Sequence, residues 1–229
     1  MLAFTKKYNI HWITFLLAWI AGYCDTVTFV AGDSIFSAHV TGNFIVFAAQ
    51  VISGRDEGSW IKLVTFPVFV AAVMTGGWLA GKVRNRYRIL LAESILLIAG
   101  ALCLFLFPQS QLTGTSLYFV VMLTVFAMGL QNTFGRLFAK ETHGPTTMMT
   151  GNVTQASLDL GNILRKGIGK DALSWQSLRK QFVTIGGFLA GCLLGAWFGK
   201  LWGLVAIGIP GVALFFSYYT APTVEIKKN

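Results

Sequence analysis

Six stretches of mostly apolar sequence, each about twenty residues long, constrain this chain more than any motif. A helix needs a run of that length to cross the ~30 Å hydrocarbon core of a bilayer. They cover residues 10–30, 63–81, 89–107, 116–134, 181–199 and 201–219. Two further segments, 41–53 and 145–162, fall short of the criterion. The first is apolar only briefly after Asn43, and the second carries Thr154, Gln155, Asp159 and Asn162. Short length and polarity together suit half-helices or re-entrant segments packed inside protein. Only 12% of the residues are charged, about half of what a soluble domain uses to wet its surface. The expected fold class is therefore an all-α integral membrane protein: six transmembrane helices plus two short half-helices or re-entrant segments, in one membrane domain over residues 1–229.

The net charge of +9 would suggest nucleic acid in a soluble protein. Here the basic residues lie in short runs between apolar stretches and no basic domain remains outside the membrane, so no nucleic-acid partner is expected. The partner implied first is the lipid bilayer, whose anionic headgroups such runs contact. Cys24, Cys103 and Cys192 sit inside apolar runs without CxxC spacing, so they read as small core residues. Neither a metal nor a cofactor is expected. Lys6 and Lys7 before the first apolar run resemble a signal peptide, but no small-residue cleavage site ends that run, and an uncleaved first helix is the better reading.

Basic residues mark the cytoplasmic side of a membrane protein. If the two short segments return to the side they came from, only Arg55, Lys62 and Lys200 of the 18 basic residues fall outside. Both termini are then cytoplasmic. If both short segments crossed fully, this bias would largely vanish.

The chain also repeats itself. Thr41-Gly42-Asn43 recurs as Thr150-Gly151-Asn152. Gly22 to Thr26 (GYCDT) aligns with Gly129 to Thr133 (GLQNT), pairing Asp25 with Asn132. Gly77 to Lys82 (GWLAGK) aligns with Gly195 to Lys200 (GAWFGK), and the same offset pairs Lys62 with Lys180. The halves are residues 8–107 and 114–220. Each holds three crossings, an odd number, so the second half must be inverted relative to the first. Inverted repeats with interrupted helices are a common transporter architecture, with the site near the midplane where the broken helices meet.

The duplicated TGN motifs therefore define the candidate solute site: Thr41, Gly42, Asn43, Thr150, Gly151 and Asn152, with the adjacent amides Gln131 and Asn132. Helix starts present free N–H groups that favour anions or carbonyl dipoles. The plainer reading is that TGN caps two short helices and lets them pack closely. Asp25, Asp33 and His39 are candidates for ion or proton coupling, since ionisable groups at membrane depth are costly to keep idle. Asp33, beside Gly32 near the predicted outer face, could instead be wet. Gln155 and Asp159 share a helix face and suit either cavity lining or an interfacial cap. Glu93, five residues after Arg88, is expected to snorkel to the interface. Gly187, Gly191, Gly195 and Gly199 form a small-residue stripe for helix packing within the chain, with a homodimer through the same stripe as the second reading. Gly76 to Lys82 spells a phosphate loop but lacks the following Ser or Thr and any preceding strand, and it is set aside.

The ordered set GxxD, HxTGN, GLQN and a second TGN resembles the YoaK-like family of small bacterial multi-pass membrane proteins, a domain of unknown function. The resemblance covers nearly the whole chain. It implies a bacterial plasma (inner) membrane location and supplies no substrate. From the residues themselves, the expected function is a secondary transporter or permease for a small polar or anionic solute, with proton coupling as a candidate property. A non-transporting scaffold is the alternative, and it would show a packed centre with no cavity. A membrane-embedded enzyme is the third class, disfavoured because HExxH, GxSxG and a second carboxylate at motif spacing to Asp25 are all missing.

Overall fold

A computed structural model of the chain describes residues 3–54, 58–106, 114–167 and 170–226. Among the described residues the chain is all-α apart from one pair of short terminal strands. The helices are α1 (Ile10–Ala31), α2 (Gly42–Ile52), α3 (Ile61–Lys82), α4 (Arg88–Leu106), α5 (Gly114–Leu137), α6 (Met149–Lys166), α7 (Ala172–Trp202) and α8 (Gly208–Thr220). Among the described residues, five helical stretches are long and apolar enough to cross a membrane: α1, α3, α4, α5 and the run Ala172–Thr220. This is a multi-pass membrane protein by helix length and composition.

The last stretch holds 49 residues, where the sequence suggested two helices of nearly equal length. A short 3-10 turn at Gly203–Ile207 divides it, starting at Gly203 with φ +61°, a backbone conformation that glycine adopts without strain. Beyond the turn, α8 has only 13 residues, so α7 takes most of the length that was divided between residues 181–199 and 201–219. Arg55, Phe107, Lys227 and Lys228, which bear on the charge distribution and the span limits, lie outside the described residues.

Helix ends follow local chemistry. Asn9 caps α1, its Oδ1 accepting from the N–H groups of His11 and Trp12, and this satisfies donors that a helix start leaves free. The strands β1 (Ala3–Lys6) and β2 (Thr223–Ile226) pair antiparallel, and the Tyr8 hydroxyl donates to the Ser217 carbonyl at 3.3 Å. Both ends of the described chain therefore lie on the same side of the helical body.

Glycine decides how the helices pair. A Cβ on Gly191 would lie 2.1 Å from the Trp19 carbonyl oxygen, one on Gly195 2.6 Å from that of Tyr23, and one on Gly22 2.2 Å from that of Phe188. The stripe of α7 thus seats directly on the backbone of α1, and Gly187 through Gly199 meet Phe15 through Val27 in the same order, so the two helices run parallel. That glycine face is filled from within the chain. The opposite side of α7 presents Leu189, Leu193 and Trp197, suited to lipid. Helix α5 meets α3 in the same way, with Gly129 against Phe69 and Ala72 and Gly76 against Thr133, again parallel. Helix α8 runs antiparallel to α4, with Gly208 on Ala101 and Gly211 on Leu97.

Polar side chains inside the bundle add to the sequence reading at one site and depart from it at another. Lys62 is 1% exposed and pairs with Asp33, whose carboxylate also accepts from the Tyr118 hydroxyl at 3.1 Å. Asp33 is therefore half-wet, at 42% exposure of its side chain, and also engaged. Glu93 does not snorkel. It is fully buried, and neither carboxyl oxygen has a partner. It shares the inward face of α4 with Leu90, Leu97, Gly100 and Leu104, at helical spacing that aims it into the bundle.

The Lys62–Asp33 pair sets a measurable cost. Asp33→Ala strands the buried ammonium, and a loss of about 2 kcal/mol is expected, below the range for fully buried pairs because Asp33 is partly solvated. Adding Lys62→Met should restore most of the loss, read as thermal unfolding in detergent micelles.

Candidate functional site

Both TGN motifs sit where a loop turns into a short helix, and their asparagines do the same work. The Asn43 side-chain nitrogen donates to the Phe36 carbonyl at 2.8 Å, and that of Asn152 donates to the Pro145 carbonyl at 2.9 Å. In each case the acceptor lies seven residues upstream, so each asparagine ties the preceding loop to its helix. The two differ where the chain requires it. Asn43 Oδ1 also accepts from the Phe36 N–H at 2.8 Å, and its nitrogen donates to Thr65 Oγ1 at 3.0 Å. Proline has no N–H to give at position 145. Asn43 is fully buried, so its hydrogen-bonding capacity is spent inside the protein.

A corresponding difference in stability is expected. Asn43→Ala would leave the Phe36 N–H and carbonyl unpaired in the interior, a cost of about 3 kcal/mol, whereas Asn152→Ala removes one such bond and should cost about 1 kcal/mol. Chemical unfolding in micelles, followed by tryptophan fluorescence, separates the two.

With the asparagines turned back onto their loops, other residues of the motifs face open space. A cavity of about 410 Å³ is lined by His39, Val40 and Thr41 from the first motif region and by Thr147, Thr150 and Gly151 from the second, with Phe66, Phe69 and Asn132 between them. The two helix starts thus open on one space. His39 also lines a second cavity of about 500 Å³, mainly apolar, with Asp25, Thr26, Gly42, Phe36 and Phe188.

Asp25 fastens this region from α1. It is 5% exposed. Its Oδ1 accepts from the Ala38 N–H at 2.7 Å and the His39 N–H at 3.3 Å, and its Oδ2 meets His39 Nδ1 at 2.6 Å. The hydrogen bond to Asp25 raises the His39 imidazole above its ordinary value against the opposing effect of burial, which favours the charged form. The imidazole belongs to both cavities, so its protonation changes the electrostatics of each.

Of the residues singled out in the sequence, the structure groups Thr41, Asn132, Thr150, Gly151 and His39 around one cavity, with Asp25 bonded to His39 and Gly42 beside it. The others serve elsewhere. Asp33 pairs with Lys62. Gln131 is buried, and its nitrogen donates to the Leu17 carbonyl at 2.8 Å and Thr146 Oγ1 at 3.1 Å, joining α5 to α1 and to the second TGN loop. Asn43 and Asn152 hold loops. On α6, Gln155 donates to Asp159 at 3.0 Å.

The residue missed in the sequence is Glu93. An unpartnered carboxyl in apolar packing is rare and costly, which makes it a functional candidate. The signal was present in the four-residue spacing to Leu97, which places Glu93 on the buried stripe, but proximity to Arg88 suggested the interface instead. Among the described residues no group of His, Cys, Asp and Glu could hold a metal ion, and all three cysteines are free.

A family model described as a protein of unknown function (DUF1275) matches residues 13–220. No curated protein and no solved structure matches the chain.

Proposed function

The chain belongs to the DUF1275 family, and we propose that it is a secondary transporter or permease for a small polar or anionic solute, coupled to protons. The observation that carries this reading is the shared cavity of about 410 Å³ on which both TGN helix starts open. A scaffold would gain nothing from leaving polar helix starts facing an unfilled space in the bundle.

Several packing relations support two inverted halves. The first helix of each half lies parallel to the third helix of the other: α1 on α7, and α5 on α3. The contact in both cases is made by the repeat-related glycines Gly22 and Gly129. In this reading α2 and α6 are re-entrant, α8 completes a sixth crossing, and both termini face the cytoplasm. The orientation rests on the distribution of basic residues.

Position suggests a role for each group. Thr41, Thr150, Gly151 and Asn132 would contact solute through hydroxyl, amide and backbone N–H groups, the donors suited to an anion or a polar neutral molecule. The Asp25–His39 pair would carry the proton, because one imidazole borders both cavities. Protonation of His39 would draw an anion toward the cavity, and release of the proton would let it leave.

The test is flux in proteoliposomes under an imposed pH gradient, screened over small carboxylates, inorganic phosphate and neutral polyols. Gly151 lines the cavity, and a Cβ there meets nothing within 4 Å, so Gly151→Trp can fill the space without displacing backbone. It should lower the flux at least tenfold, a change of about 1.4 kcal/mol in the barrier. Gly161→Trp, also in open space on α6, should leave it unchanged. A flux that survives Gly151→Trp, or no pH-driven flux of any solute class, would sink the reading.

A further inference from the structure

A separate cavity of about 700 Å³ opens beside the start of α1 and the first turns of α7, lined by His11, His143, Trp175, Gln176, Arg179 and Lys180. Among the described residues no carboxylate lines it. Of the acids nearby in sequence, Asp171 is engaged by Lys166 at 2.7 Å and by the Ser174 hydroxyl at 2.9 Å, and Glu141 by Arg86 at 2.7 Å and by the Tyr87 hydroxyl. His143 Nε2 and His11 Nδ1 lie 2.8 Å apart, so the two imidazoles share one hydrogen between them. The His143 N–H donates to Thr14 Oγ1 at 2.9 Å, which fixes its loop to α1. Burial, His11 and Lys180 together lower the His143 imidazole below its ordinary value. Arg179 and Lys180 supply the positive potential of the space, and no carboxylate among the described lining residues balances it.

The internal repeat supplies an independent reason to regard this as an anion site. The offset of 118 residues between the GWLAGK and GAWFGK motifs carries Lys62 to Lys180. The offset of 107 between GYCDT and GLQNT carries His11 to Tyr118, and the offset of 109 between the TGN motifs carries Asp33 to Thr142. In the first half, Lys62 and the Tyr118 hydroxyl converge on the Asp33 carboxylate. In the second, Lys180 and His11 converge on a cavity, and the residue at the carboxylate position is the neutral Thr142. The donors are kept and the acceptor is lost.

We propose that this cavity binds an oxyanion carrying a phosphate group, which takes the place that Asp33 occupies in the other half. Arg179 offers a planar fork of donors and Lys180 a point charge, while Gln176 and the two imidazoles supply further N–H groups around a tetrahedral anion. Trp175 and Ile10, which also line the cavity, would accommodate an apolar substituent on the phosphate. Free phosphate and a lipid phosphate monoester share this chemistry. Phosphate binding here rests on the repeat and not on transport, so binding and solute flux fail separately.

The chain has three histidines, which makes the test direct. The full chain, labelled at histidine and held in maltoside micelles that contain no phosphate, is titrated with inorganic phosphate at constant ionic strength. The imidazole resonances of His11 and His143 should shift saturably. His39 reports on the other cavity, because its partner Asp25 lies 14 residues from His11 along α1, roughly 21 Å at 1.5 Å per residue, and a shift confined to His39 would overturn the proposal. Arg179→Gln and Lys180→Gln should each weaken binding at least tenfold. A parallel titration with dihexanoyl phosphatidic acid separates the sources: tighter binding by tenfold or more identifies a lipid headgroup, and equal or weaker binding identifies free phosphate. Absence of saturable shifts with both probes overturns the proposal, as do shifts of undiminished affinity in both variants.

Discussion

Gly191→Ala is expected to cost more than about 3 kcal/mol and to leave much of the protein unfolded in mild detergent, although it adds a single methyl group. The new Cβ would lie 2.1 Å from the Trp19 carbonyl oxygen and 2.9 Å from both the Trp19 carbonyl carbon and the Tyr23 nitrogen. All three are backbone atoms of α1, so no rotamer change can make room and the helices must separate. Overpacking a membrane interface forfeits close van der Waals contact along its length, which is what drives helices together once both are in lipid. The same substitution at Gly186, five residues earlier in α7, meets nothing within 4 Å and should be neutral or slightly stabilising, because alanine is the better helix former. Thermal unfolding of the two variants side by side distinguishes a packing effect from a general intolerance of α7 to substitution. Equal stability of the two would show that α1 and α7 do not pack through this stripe.

The second large effect concerns function and arises from the geometry around Asp25. In Asp25→Asn the side-chain oxygen can still accept from the Ala38 and His39 N–H groups, while the new NH₂ donates to His39 Nδ1 once the imidazole has shifted its remaining proton to Nε2. The loop anchor survives, so stability should change by less than about 1 kcal/mol. The charge that favours protonated His39 does not survive. If the proton-coupled reading holds, pH-driven flux should fall at least a hundredfold in this variant with its thermal unfolding little changed. Asp25→Ala, in contrast, leaves two N–H groups without an acceptor and should lose about 2 kcal/mol as well as flux. Full pH-driven flux in a folded Asp25→Asn protein would remove the Asp25–His39 pair from any coupling role and leave Glu93, buried and unpartnered, as the remaining candidate.

These contrasts depend on distinguishing residues that line a space from residues that hold its walls, and the TGN motif shows why sequence alone blurs the two. Thr41, Gly42 and Asn43 are adjacent, yet Thr41 lines one cavity, Gly42 lines another, and Asn43 faces neither. Successive residues of a helix start point in directions about 100° apart. One tripeptide can therefore both hold the preceding loop and face a cavity. Neither helix start is capped by a side chain, and the asparagines tie the preceding loops to their helices instead. The open cavity concerns the threonines and Gly151.

What the sequence determined by itself was everything that depends on local pattern: membrane class from length and apolarity, most helix positions, the glycine stripe and the duplicated motifs. These are properties of a segment and its period, and they survive whatever the segment packs against. The tertiary structure decided which groups face one another. It placed Lys62 against Asp33, 29 residues away, turned Asn43 back onto Phe36, buried Glu93 without a partner and brought Thr41 and Thr150 to one cavity. Such pairings depend on how far two backbones approach. Here that approach is governed by contacts such as Gly22 on Phe188 and Gly129 on Ala72, between helices far apart in the chain, which a one-dimensional pattern does not encode.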